Sequence, residues 1–177
     1  ETAKEEVREL QNGITGTIRI GVISSAATVL AKWCAEFTKK YSKIRFSLSE
    51  GNTYETLEEL RSGTVDFAMA RTPFAGDGLE CRYLPSEPML AVGAAEMFDN
   101  CGTDHVSLSF LSGKPLIIYR RWENILRHAF ESENLSFFIY CRNDDARTTM
   151  LWAEQGIGIG IIPMSGAGLL RGAGTIA

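Results

Sequence analysis

Hydroxyl and guanidinium side chains recur in this chain directly after short apolar runs, at Ser24-Ser25, Gly51-Asn52-Thr53, Arg71-Thr72 and Arg120-Arg121. Asn143-Asp144-Asp145 and Met164-Ser165 stand in the same relation to later runs. Hydroxyls and guanidinium groups donate hydrogen bonds, and loops that open helices add free N–H groups and a positive dipole end. Such a set is suited to receiving a carboxylate. Arg71 carries the sharpest signal, because it follows the apolar stretch Val65 to Ala70 and a guanidinium buried there without an anion would be costly. Its partner is either a carboxylate of the chain itself or one supplied by a ligand. Ser25 can cap a helix and touch a ligand with the same hydroxyl. Arg120 and Arg121 open a helix, an end that disfavours cations, so one of them is expected in solvent and one facing a cleft.

Reaction chemistry finds less support. Ser24-Ser25 lies outside a G-x-S-x-G elbow, and neither His105 nor His128 has a triad context. Asp144 and Asp145 read as N-cap and first-turn acids rather than paired catalytic carboxylates. Cys34, Cys81, Cys101 and Cys141 show no C-x-x-C spacing, so free buried thiols are expected and no zinc site. Gly156-Ile157-Gly158-Ile159-Gly160 departs from the G-x-G-x-x-G fingerprint and sits inside an apolar run. Close packing of a strand explains it better than a dinucleotide, and no cofactor is expected.

These loops need a scaffold, and the hydrophobic periods supply one. Thr17 to Ile23 predicts a strand, followed by a helix with Leu30, Trp33, Cys34, Phe37 and Tyr41 on one face. Ile44, Phe46 and Leu48 alternate with polar residues in a second strand, and Asn52 with Glu55 forms a capping-box pattern before Tyr54, Leu57 and Leu60. Gly63 stops that helix, and Val65 to Ala70 forms a third strand. The grammar then repeats: strand Leu116 to Tyr119, a helix carrying Trp122, Ile125, Leu126, Ala129 and Phe130, and strand Phe137 to Cys141. A helix capped by Asp144 or Asp145 runs to Gln155, with a last strand at Ile157 to Ile162. Leu79 to Leu84 and Met89 to Ala94 read as extended crossovers between the two halves, and residues 99–114 as loop. The fold class is therefore α/β, with two Rossmann-like lobes, and ligands in open α/β sheets gather at the carboxyl ends of the strands.

The chain has 177 residues, 45% hydrophobic and 23% charged, an ordinary globular composition. Its 18 Lys+Arg against 22 Asp+Glu leave a net charge of −4. There is no basic field to hold phosphate backbones, so this segment by itself is not expected to bind DNA. No apolar run approaches the roughly 20 residues needed to span a bilayer.

Several stretches, in order, resemble the effector-binding domain of LysR-type transcriptional regulators. They are the helix remnant carrying Ala3, Val7 and Leu10; Gly16-Thr17-Ile18-Arg19-Ile20-Gly21 with Ser24-Ser25; Leu60-Arg61-Ser62-Gly63-Thr64-Val65-Asp66-Phe67-Ala68; and the Gly156 to Pro163 run. The resemblance covers nearly the whole chain. It implies two lobes joined by crossover strands, like type 2 periplasmic binding proteins, with residues 1–13 the end of a linker helix. Lobe I would comprise 14–84 and 163–177, and lobe II 85–162. It further implies a small-molecule effector in the interlobe cleft, contacted by Ser24, Ser25, Thr53, Arg71, Tyr119 and Arg120. DNA would be reached only through an N-terminal winged helix-turn-helix outside this segment, in a cytoplasmic protein that is a homodimer or tetramer and whose full-length form can meet RNA polymerase. Arg120-Arg121-Trp122 is bulkier and more basic than the small polar loop often found there. Solute-binding proteins of transporters and prephenate-dehydratase-like enzymes share the fold and are the alternative readings. The apolar helix residues Leu30, Trp33 and Phe37, and Trp122, Ile125 and Phe130, exceed what a small lobe needs, which agrees with a homodimer burying roughly 1,200–2,000 Å².

Overall fold

The computed structural model describes residues 15–99, 101 and 105–169. The expected linker helix of residues 1–13 and the tail beyond Leu169 lie outside them. Contacts divide the chain between Tyr83 and Leu84 into two units, one residue from the boundary expected between 84 and 85.

In the first unit, β1 (Gly16–Val22) is the centre of a parallel sheet in the order β2–β1–β3, flanked by β2 (Ile44–Glu50) and the short β3 (Phe67–Met69). Helix α1 (Ala27–Lys40) connects β1 to β2, and α2 (Thr53–Arg61) connects β2 to β3. Ile20, Val22, Ile23, Ala26 and Leu30 form the core. The capping box at α2 is complete: Asn52 Oδ1 accepts from the N–H groups of Tyr54 and Glu55, and Glu55 accepts from the Asn52 N–H. Gly63, at φ +74°, follows the end of the helix in a backbone region that suits glycine. Thr56 is wholly buried above Gly21, where a built Cβ would lie 3.3 Å from Thr56 Cβ. Arg19 fixes the entry to β3, its N–H and guanidinium both donating to the Asp66 carboxylate at 2.7 and 2.6 Å.

The second unit is built on a four-stranded sheet ordered β4–β7–β5–β6, comprising β4 (Met89–Val92), β5 (Leu116–Tyr119), β6 (Ile139–Asn143) and β7 (Ile159–Pro163). β4 is antiparallel to β7 and the remaining pairs are parallel. Helices α3 (Leu108–Leu111), α4 (Glu123–Ser132) and α5 (Ala146–Glu154) complete it. The central strands β5 and β7 are apolar because both faces are covered, whereas the edge strand β6 ends in Arg142 and Asn143. Leu116, Ile118, Ile159 and Ile161 face a cluster with Phe98, Leu111, Trp122, Leu126 and Phe130, whereas Ile117 and Ile162 join Leu90, Val92, Ala146, Met150 and Ala153.

Several expectations need correction. Leu79 to Leu84 joins no sheet, and Met89 to Val92 is a regular strand of the second unit's sheet. Residues 99–114 contain the one-turn helix α3, capped by Ser107, whose Oγ accepts from the Phe110 N–H. The third strand is shorter than Val65–Ala70, and the strand expected over Phe137–Cys141 is shifted to Ile139–Asn143. Residues 163–169, expected in lobe I, group with the second unit, where Met164 N–H donates to Pro88 O and Ser165 Oγ to Glu87. Of the apolar helix residues, Leu30, Trp122 and Phe130 belong to their own units' cores, whereas Trp33, Phe37 and Ile125 are exposed. The four cysteines are free, but each is half-buried rather than buried. Among the described residues, no helix is long and apolar enough to cross a membrane.

Glu123, in the first turn of α4, accepts from Arg142 on β6 and from Arg127 one turn on. The Arg142 guanidinium, then that of Arg127, brings its carboxyl from the ordinary 4.5 down to about 2. Because the folded value lies below the unfolded one, the stabilisation is whole above pH 4.5 and is lost as pH falls through about 2. Both arginine side chains are two-fifths exposed, so after solvent screening about 1 kcal/mol is at stake. Thermal melts across this acid range should therefore show a loss in the native protein that Glu123→Gln lacks; parallel curves would disprove the assignment.

Candidate functional site

The loops that follow β1, β2 and β3 emerge side by side because β1 is the middle strand. After β1 the chain does not enter α1 directly. Ser24–Ala26 forms a 3-10 turn closed by Ala26 N–H to Ile23 O at 2.9 Å, and the residue that caps α1 is Ala26, with no side-chain cap bond. Ser25 is therefore not the cap that its sequence position suggests. Its hydroxyl, 3% exposed, instead accepts from Arg71 Nε at 3.0 Å. Thr53, the first residue of α2, is 1% exposed, and its Oγ1 accepts from the Arg71 backbone N–H at 3.4 Å. Arg71, half-buried just past β3, is thus held to the ends of two other elements. Ser24 is buried beside Ser25. Ser25, Thr53 and Arg71 come together in the first unit, with Ser24 next to Ser25 in the chain.

The expected contribution of helix amides is narrower than thought. Asn52 already occupies the Tyr54 and Glu55 N–H groups, so the sharper donors here belong to Arg71. A guanidinium presents its N–H donors in a fixed planar fork, the geometry that suits a carboxylate.

In the second unit, Tyr119 ends β5 and lies edge-on to Trp122 with ring centroids 6.4 Å apart. Arg120 and Arg121 form a 3-10 turn with Trp122 ahead of α4 rather than the helix's own first turn, where Glu123 supplies the charge the dipole favours. Arg120 is exposed and donates from Nε to Asp144 Oδ1 at 3.0 Å. Arg121 is half-buried, its guanidinium 5.7 Å from the Trp122 ring centroid.

Two residues near these loops hold contacts that the sequence reading does not assign. Asn143, the last residue of β6, accepts at Oδ1 from the Asp145 N–H at 3.1 Å and from Thr149 Oγ1 at 3.0 Å. Glu87 accepts from the Ser165 hydroxyl and N–H, so Ser165 is tied down within its own unit. Asp145, not Asp144, caps α5, accepting from the N–H groups of Arg147 and Thr148. No sequence signal identifies Glu87. The sequence singles out Asn143 with its loop, between an apolar run and a capping aspartate, but not these contacts.

Comparison with known proteins identifies the family. A family profile described as the LysR substrate binding domain matches residues 11–176. The HTH-type transcriptional regulator BsdA of Bacillus subtilis (strain 168) is 26% identical over 170 residues, covering 93% of this chain and 58% of BsdA. The chain thus spans little more than half the length of that relative. Among solved structures, CbnR, a LysR family transcriptional regulator, superposes with a TM-score of 0.79 at 17% identity, covering 98% of this chain and 61% of CbnR. The BenM effector binding domain with its effector benzoate gives 0.72 at 19% identity, covering 90% and 75%. These structures share the two-lobed α/β fold of periplasmic binding proteins with the present chain. With the profile spanning nearly every residue, the chain belongs to the LysR substrate-binding domain family.

Proposed function

We propose that this chain is the sensing domain of a LysR-type regulator and that its effector is a small organic anion, a carboxylate above all. The observation that carries the reading is Arg71, with its backbone N–H on Thr53 and its Nε on Ser25. One buried hydroxyl accepts from the guanidinium and a second from the backbone of the same residue, at the carboxyl end of a parallel sheet, where α/β proteins take their ligands. The benzoate named as BenM's effector is itself a carboxylate. In this reading the effector lies between the lobes, meeting Ser24, Ser25, Thr53 and Arg71 from one and Tyr119 and Arg120 from the other. Its binding controls transcription through a winged helix-turn-helix elsewhere in a cytoplasmic, homodimeric or tetrameric full-length protein. DNA and RNA polymerase are partners of that protein rather than of this domain, and the function is sensing rather than catalysis.

A thermal-shift panel tests the ligand class. Small mono- and dicarboxylates, each beside its neutral carboxamide, would be screened from micromolar to millimolar concentration. A ligand at about one hundred times its Kd adds about 2.7 kcal/mol, a rise of about 5–10 °C for a chain this size. At least one acid should give such a rise while its amide does not. Stabilisation by neutral compounds alone would overturn the carboxylate reading and point to Tyr119 and Trp122 as the walls of an apolar site.

A further inference from the structure

The loop after β6 carries a carboxylate that competes for Arg120. Strands β5 and β6 run parallel with Tyr119 opposite Asn143, so the next residues, Arg120 and Asp144, leave the sheet side by side. The Asn143 amide holds the loop on one side through the Asp145 N–H and Thr149, and Asp145 is fixed on the other as the cap of α5. Asp144 is the residue between, with its side chain 73% exposed, and it takes Arg120 Nε at 3.0 Å. It caps nothing and packs into no core cluster. An exposed pair of this kind exchanges readily and holds its partners weakly.

We infer that Asp144 is a specificity-determining residue, an internal counter-ion that competes with an incoming anion for Arg120. This rests on the reading that Arg120 serves an anionic effector. That competition penalises weakly basic or diffuse anions and favours ligands that bring a strong hydrogen-bonding oxyanion to the guanidinium. Removing the Asp144 charge lifts the penalty. Loss of an exposed ion pair together with relief of repulsion on the incoming anion corresponds to about two- to tenfold tighter anion binding at Arg120.

The test follows the arginine Nε–H resonances by NMR while inorganic phosphate, acetate and benzoate are titrated into the native protein, Asp144→Asn and Asp144→Ser. The half-saturation concentration for phosphate at Arg120 should fall about two- to tenfold in both variants. In a background carrying Arg120→Ala, the Asp144 substitutions should leave every remaining anion response unchanged. Equal half-saturation in the native protein and both variants, or an Asp144 effect that persists without Arg120, overturns the inference. The Arg71 resonance is read in the same spectra. Its silence towards carboxylates would count against the effector reading while the Arg120 comparison still decides the role of Asp144.

Discussion

Arg71→Ala should weaken binding of a carboxylate effector by about 10- to 150-fold, the equivalent of one charge-assisted hydrogen bond of about 1.5–3 kcal/mol. The melting temperature without ligand should stay close to the native value, because Arg71 is only half-buried and its side chain enters none of the core clusters. The Ser25 hydroxyl that loses its donor can rotate, and a water can enter the space left by the guanidinium. If Arg71 were instead a structural tie between the ends of β1, α2 and β3, its removal would lower the melting temperature and leave the ligand-induced rise intact. Titration calorimetry together with melts of both proteins separates the two outcomes.

Gly158→Ala should be the most destabilising single methyl addition in the second unit. A Cβ built there would lie 2.7 Å from Pro115 O and 3.1 Å from Ile117 Cγ1. The carbonyl cannot move aside without loss, since it accepts from the Ile159 N–H at 2.8 Å. Neither can Ile117, which is fully buried. Overpacking of this kind costs about 3 kcal/mol, a fall of about 6–12 °C in melting temperature for a domain of this size. Gly166→Ala is the control, because its Cβ would make only ordinary contact with Ile162 at 3.6 Å. Equal melting temperatures for the two variants would show that the strand shifts to accept the methyl group.

That glycine run illustrates what the sequence makes legible. Glycines inside an apolar stretch signal close approach wherever they fall, and Gly160, whose Cβ would meet Thr149, Val92 and Ala153, packs as Gly158 does. The Asn52–Glu55 capping box was equally readable, since all its partners lie within one turn. Short elements were not: α3 makes a single turn, too short for any helical period. Periodicity also overstated burial, placing Ile125 on one face with Leu126 although it is exposed at that face's edge.

The candidate site divides along the same line. That Arg71 needs a polar partner follows from its position after an apolar run, but that Ser25 is the partner depends on the 3-10 turn, which moves the cap to Ala26 and leaves the serine hydroxyl for Arg71. The Arg120–Asp144 pair depends on β6 lying next to β5. Strand order is a long-range property that no local pattern in either segment encodes.

The proposed sensor depends on Arg71, held by Ser25 through its side chain and by Thr53 through its backbone, as the receptor of an effector's carboxylate. The most direct measurement is titration calorimetry of the native protein and Arg71→Ala with the best stabilising acid of the panel and with its carboxamide. The native protein should prefer the acid by about tenfold or more, and Arg71→Ala should abolish this preference. Equal affinity of the native protein for acid and amide, or a preference for the acid that survives Arg71→Ala, would contradict this role of Arg71.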